Sequence, residues 1–208
     1  MKQAFTFLLT LVVSTVWLVP SATPSRGIAE AQTPGAGVTV SGNFRGTAGA
    51  QLASLYDPGD DLGLRISLIE RTGTGDMFTA SEWFVARSGD FDLGRMKVVA
   101  TDANLDGKTD IVALYDDGGT SVRLLVWLST GRSFVFAGAQ GWWQSNGYAW
   151  SRTKAVLAGN FSAQNRSGLL FIYQYDNFQM RIHYLESDGK QFIYNGNQGV
   201  YDLSLIHI

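Results

Sequence analysis

The chain has 208 residues, a formal net charge of −2 and no cysteine. Near-neutrality gives no electrostatic handle for nucleic acid or an anionic membrane surface. The missing cysteines exclude a disulfide scaffold, a thiol nucleophile and thiolate metal sites. With 24 glycines against 4 prolines and 12% aromatic residues, the composition points to short strands joined by tight turns.

Residues 1–31 read as a signal peptide. Lys2 supplies the basic start, Phe5 to Val19 is almost wholly apolar, and Ala29-Glu30-Ala31 offers a small-x-small cleavage site. The apolar run is short for a membrane span, so secretion to the extracellular space or cell surface is expected, with no membrane attachment after processing. Two bases and one acid leave with it, taking the formal charge from −2 to −3. Residues 32–37 form a short leader.

From residue 38 the chain aligns with itself at a period of about 58. Val40 to Asp57 matches Val99 to Asp116, and Ala158 to Tyr173 makes a third copy. Arg65, Arg123 and Arg181 recur at the same spacing, as do Phe78, Phe134 and Phe192; Trp83 matches Trp142. Each unit reads as loop, buried strand, turn, second strand, glycine-containing turn, third strand, aromatic-rich segment and a returning strand. Ser129-Thr130-Gly131-Arg132 and Glu186-Ser187-Asp188-Gly189-Lys190 are hairpin signals between β-rich runs. No helical period stands out beyond the signal. The pattern predicts an all-β chain of β-propeller blades, each a four-stranded antiparallel sheet, with about three consecutive repeats of an incomplete propeller. The repeats span 38–96, 97–154 (with a cation loop) and 155–202 (incomplete).

The second repeat carries the most specific signal. Asp102, Asn104 and Asp106 alternate, Gly107 follows, and Asp110 closes the set. A hard cation such as Ca²⁺ takes six to eight oxygens, and a tight loop can supply several from one segment. The loop runs directly into the apolar Ile111 to Tyr115, and Ala113 stands where an EF-hand needs its bidentate glutamate, so an EF-hand is excluded. The competing reading is an Asp-Gly turn whose acids are merely solvated.

These units resemble FG-GAP/VCBS repeats, the blade type of integrin-α-like propellers and of many exported bacterial proteins. The resemblance rests on Asp102 to Asp110 leading into Ile111 to Tyr115, and on Trp150 to Lys154 leading into Val156 to Phe161. It covers about residues 38–202. It implies one Ca²⁺ site on Asp102, Asn104, Asp106, Lys108 (through its carbonyl) and Asp110. Asn43, Arg45, Thr47 and Gln51 replace the acids in the first repeat, and Asn160, Ser162, Gln164 and Gly168 in the third, so those loops lack the charge for a divalent ion. Complete members close a ring of about seven blades. The final Leu203 to Ile208 reads as a tail translated from a sequencing adapter, which makes the chain a truncated fragment.

Residues recurring in every repeat are expected to be scaffold. Trp143, Tyr148 and Trp150, around Asn146-Gly147, are unique to the second and form a candidate sugar-stacking surface, weighed against a loop folded over a blade seam. His183 is expected to be packed or solvent-facing. No Gly-x-Ser-x-Gly elbow, His-Glu-x-x-His pair or phosphate-binding glycine loop occurs, so no enzyme is expected. The expectation is a secreted calcium-binding module, monomeric when full length, for an extracellular carbohydrate or protein ligand. The alternative is the propeller region of a larger exported hydrolase whose catalytic part lies outside this chain.

Overall fold

Strand β6 (Asp110–Gly118) shows how the sequence builds this molecule. Its run Ile111-Val112-Ala113-Leu114-Tyr115 has no polar alternation, and both of its faces are buried. Ile111, Ala113 and Tyr115 join one apolar core, while Val112 and Leu114 join another. A strand covered on both sides must lie between two other layers, and it does.

The computed structural model describes residues 37–202 except 60–62, 74–76, 88, 139–140, 165 and 176–178. The expected signal peptide, all of the leader but residue 37, and the tail at 203–208 lie outside the described residues. Among the described residues, thirteen strands form three antiparallel sheets. Sheet 1 is β1 (Val38–Gly42), β2 (Gln51–Tyr56), β3 (Arg65–Arg71) and β4 (Phe78–Val85), in that order. Sheet 2 is β5 (Met96–Thr101), β6, β7 (Ser121–Ser129) and β8 (Phe134–Phe136), with the two-residue β9 (Gln144–Ser145) also pairing with β7. Sheet 3 is β10 (Thr153–Gly159), β11 (Gly168–Gln174), β12 (Gln179–Ser187) and β13 (Phe192–Asp202). Short 3₁₀ turns at Leu93–Arg95 and Trp150–Arg152 lead into β5 and β10. Among the described residues there is no α-helix, and no helix long and apolar enough to cross a membrane.

The first strands β1, β5 and β10 lie side by side, with β5 between the other two. One core fills the space between sheets 1 and 2, and a second fills that between sheets 2 and 3. The expected boundary after Lys154 falls inside β10, because the Thr153 backbone already pairs with Tyr173. The fourth strand of sheet 2 is split: β8 covers Trp127 to Ser129, and β9 covers Val122 and Arg123 farther along the same strand.

The recurring residues meet in register. Tyr56 pairs with Arg65, Tyr115 with Arg123 and Tyr173 with Arg181 across the second and third strands of the three sheets. The Arg123 guanidinium lies 5.5 Å from the centroid of the Tyr115 ring. That is cation–π distance; in sheet 3, Arg181 lies over Tyr175 instead, 4.8 Å from its ring centroid. Phe134 packs 5.3 Å from Trp83, and Phe192 packs 6.0 Å from Trp142, each phenylalanine reaching the preceding sheet. Phe78, the counterpart in sheet 1, is 66% exposed.

Candidate cation loop and aromatic seam

The loop from Asp102 to Thr109 joins β5 to β6 and is closed by its own side chains. Asp102 accepts from the Asp106 N–H at Oδ1 (3.0 Å) and from the Gly107 N–H at Oδ2 (2.8 Å). Asn104 Oδ1 accepts from the same Asp106 N–H at 3.1 Å, while its amide donates to Asp106 Oδ2 at 3.1 Å. Asp106 Oδ1 accepts from the Lys108 N–H at 2.9 Å. Oxygens of Asp102 and Asn104 thus converge on one atom beside the Asp106 carboxylate. Gly107 has φ +87°, and Leu105 has φ +61°, a left-handed conformation that a leucine adopts at a cost of roughly 1–2 kcal/mol.

Lys108 provides a positive charge of its own. Its ammonium lies 2.7 Å from Asp106 Oδ2. Burial acts to raise the Asp106 carboxyl, but the Lys108 hydrogen bond and other donors outweigh it, leaving the pKa below the ordinary carboxylate value. The hydrogen bond with Asp106 correspondingly raises the Lys108 ammonium.

Asp110 is fully buried and does something different from the other acids. Its Oδ2 accepts from the backbone N–H groups of Ala103 (2.9 Å) and Asn104 (3.3 Å), and its Oδ1 from that of Ser129 (2.7 Å). Of about four lone-pair positions on a carboxylate, three are taken by backbone amides. Asp110 therefore ties the start of the loop to the end of β7. Burial pushes its carboxyl up to about 7, against the opposing pull of the three N–H donors.

Neighbouring sheets hold the loop on both sides. The Thr109 N–H donates to the Asn43 carbonyl at 2.9 Å, and the Asn43 N–H returns to Thr109 Oγ1 at 3.0 Å. A Cβ at Gly42 would come within 2.4 Å of Thr109 Cγ2, so this close approach requires glycine. On the other side, the buried Ser187 hydroxyl donates to the Ala103 carbonyl.

Among the described residues, no three His, Cys, Asp or Glu side chains are gathered as a metal-binding group. The side-chain oxygens of the loop belong to two aspartates and an asparagine, with Asp110 turned towards amides. This donor set is all-oxygen, so its chemistry fits a hard cation and not a soft one. The two Asp102 oxygens each keep a second lone pair, and a cation would replace the Lys108 ammonium on Asp106.

The aromatic group takes a different form from a sugar platform. Tyr148 is buried, with ring centroids of Tyr173 at 4.4 Å, Phe171 at 5.9 Å and Trp143 at 6.0 Å. No face of that ring is open to a sugar. Trp143, half-buried, packs edge-on against Phe171 at 5.6 Å. The half-buried Trp150 carries the Lys97 ammonium 3.2 Å from its ring centroid. These residues seal the seam between sheets 2 and 3. This is the seam-covering loop that was weighed against a sugar-stacking surface, and β9, pairing with β7, folds it there.

His183 is buried in the same seam between tyrosines, with its ring nitrogens 3.2 Å from Tyr175 Oη and 2.8 Å from Tyr194 Oη. Burial, and secondarily the charge of Arg181, lower its pKa. Sequence reading missed Ser129 and Ser187. Their signal was present, since each opens a hairpin of the form Ser-x-Gly at the same place in its repeat.

Searches against protein-family models, curated proteins and solved structures find no match to this chain.

Proposed function

We propose that the chain is part of an exported β-propeller of the FG-GAP/VCBS type, in which a Ca²⁺ ion stiffens the loop between β5 and β6. The module serves extracellular binding of a carbohydrate or protein rather than catalysis. The observation carrying this reading is the convergence of Asp102 and Asn104 oxygens on the Asp106 N–H, in a loop clasped by sheets on either side. Support for the propeller comes from three successive four-stranded sheets whose first strands lie together.

Asp102, Asn104 and Asp106 would hold the ion, with the Lys108 carbonyl as a backbone contributor and Asp110 offering its remaining lone pair. Bound Ca²⁺ would neutralise the paired carboxylates and release the Lys108 ammonium to solvent. Because a lysine must be displaced, affinity belongs in the weak extracellular range, with Kd on the order of 10⁻⁴–10⁻³ M. Calorimetric titration of the chelator-treated protein with CaCl₂ tests this. A one-site isotherm in that range is expected, and no heat at millimolar Ca²⁺ would end the proposal. The buried Tyr148 moves the ligand question away from the seam, and a glycan-array screen with and without chelator addresses it directly.

A further inference from the structure

Sheet 3 departs from the repeat at one neighbouring pair of positions. In sheet 2, Leu125 of β7 is buried in the first core, and Phe136 of β8 packs against that core. Their counterparts 58 residues further on are His183 and Tyr194. Two apolar side chains fill this place without any hydrogen bond. Packing alone therefore gives no reason for an imidazole beside a phenol, whose polar atoms must each find a partner.

His183 is 6% exposed, and both of its ring nitrogens face phenols. Nδ1 lies 2.8 Å from Tyr194 Oη and Nε2 lies 3.2 Å from Tyr175 Oη, with the ring planes within 28° and 21° of parallel. Tyr148 and Tyr173 meet the imidazole at steep angles, 5.2 and 5.5 Å between centroids. Burial and the Arg181 charge lower its pKa from the ordinary 6.5, so the ring is neutral at pH 7. Tyr194 differs in being 43% exposed. It lies on the same side of β13 as Phe192, which meets Trp142, so the phenol opens to solvent at the seam with sheet 2. A neutral imidazole has one N–H and one lone pair. With Nε2–H donated to Tyr175, Nδ1 accepts the Tyr194 proton. A nucleophile within reach of a base that a third group orients is the arrangement of an activated nucleophile. Burial, and secondarily the charge of Tyr175, raise the Tyr194 phenol, so the oxygen needs that base at the moment it attacks.

We propose that Tyr194 is an acyl-acceptor site, its phenol taking an acyl group from an activated ester with His183 as general base and Tyr175 positioning the imidazole. Tyr194 Oη attacks the ester carbonyl carbon, and its O–H bond breaks as the proton passes to His183 Nδ1. The bond from that carbon to the leaving oxygen then breaks. The leaving oxygen departs with the electron pair and takes the proton from His183. The products are an aryl ester on Tyr194 and the free alcohol or phenol, with no change of oxidation state. The surrounding rings are aromatic, and the Arg181 guanidinium is held over Tyr175 at 4.8 Å, so a neutral acyl group suits the seam better than a phosphoryl group. The chain is the acceptor in this step and is consumed by it. The inference is independent of the cation reading.

Treating the purified chain with 4-nitrophenyl acetate tests the site, read by nitrophenolate release and by mass spectrometry of its peptides. The parent should carry acetyl on Tyr194 sooner than on any other tyrosine, in a form that hydroxylamine removes, as it does an aryl ester but not a lysine amide. Tyr194→Phe should lose that ester, and His183→Gln should slow its formation about a hundredfold, the scale of a general base. The groups facing the imidazole are Tyr148, Tyr173, Tyr175, Tyr194 and Arg181. Phenols and guanidinium ions titrate at about pH 10 and above, so a midpoint near neutrality reports His183. The parent rate should rise through a midpoint below the ordinary imidazole value and then level off. Acetyl spread evenly over the tyrosines would overturn the proposal. So would a rate that climbs steadily into the phenol range, or an undiminished rate in His183→Gln. Should near-UV circular dichroism show that the glutamine disturbs the seam, the pH profile of the parent decides alone.

Discussion

The Lys108 ammonium lies 2.7 Å from Asp106 Oδ2, on a carboxylate proposed to face a divalent ion. A loop that carries its own counter-charge folds without metal and then binds metal only by exchange. Replacing the charge while keeping the stem, as Lys108→Met, should tighten Ca²⁺ binding about two- to fivefold, the range expected from losing a part-exposed ion pair. Calorimetric titration reads the change. An unchanged or weaker affinity would show that Lys108 does not compete.

Asp110→Ala should destabilise the fold by about 3 kcal/mol or more, because the N–H groups of Ala103, Asn104 and Ser129 lose their acceptor inside the protein. The acid also gives a pH signature. Its folded pKa of about 7 exceeds the ordinary carboxyl value of 3.8, so the folded state holds the proton more tightly. Its contribution to stability is fully present below about pH 4 and is lost as pH rises to 7. Urea melts in chelator across pH 4–8 should show this decline. Asp110→Asn should flatten it.

Lys97 predicts the opposite slope in another window. Burial, only partly offset by the Asp116 charge and reinforced by Lys154, lowers its pKa to about 8 from 10.5. The folded state therefore holds this proton less tightly, and stability should rise between pH 8 and 10.5 as the ammonium is lost. Lys97→Met should remove the rise in melts taken over that range. The ¹³Cε chemical shift of Lys97 should titrate near pH 8.

The serines joining neighbouring sheets should matter more than their size suggests. Ser129→Ala removes the donor to the Phe44 carbonyl and the acceptor of the Gly131 N–H, at an expected cost of about 1–3 kcal/mol. Gly131→Ala should cost a similar amount, since it adds a Cβ against the Arg45 carbonyl at positive φ. Thermal melts measure both. Gly73→Ala, whose Cβ would meet nothing within 4 Å, should suffer only the backbone penalty of its positive φ.

The sheets were legible because their signals are local and recur. The buried run at Ile111 to Tyr115, the Ser-x-Gly hairpins and the Tyr–Arg spacing each place a strand or turn within its unit. What sequence left open depends on contacts between units. Tyr148 looks like any loop tyrosine until β9 folds it against Phe171 and Tyr173. That Asp110 also anchors the loop to the end of β7 shows only when the fold brings the Ser129 N–H to it. Phe78 aligns with two buried phenylalanines yet is exposed, because burial there is set by a preceding sheet and not by its own strand.

The most direct test of the calcium loop compares melting temperatures, with and without 5 mM CaCl₂, for the parent and for Asp102→Ala combined with Asp106→Ala. At that concentration, binding in the proposed affinity range adds on the order of 1–2 kcal/mol to stability, a rise of several degrees. The account predicts that rise in the parent and none in the double variant. An equal rise in both proteins would contradict it.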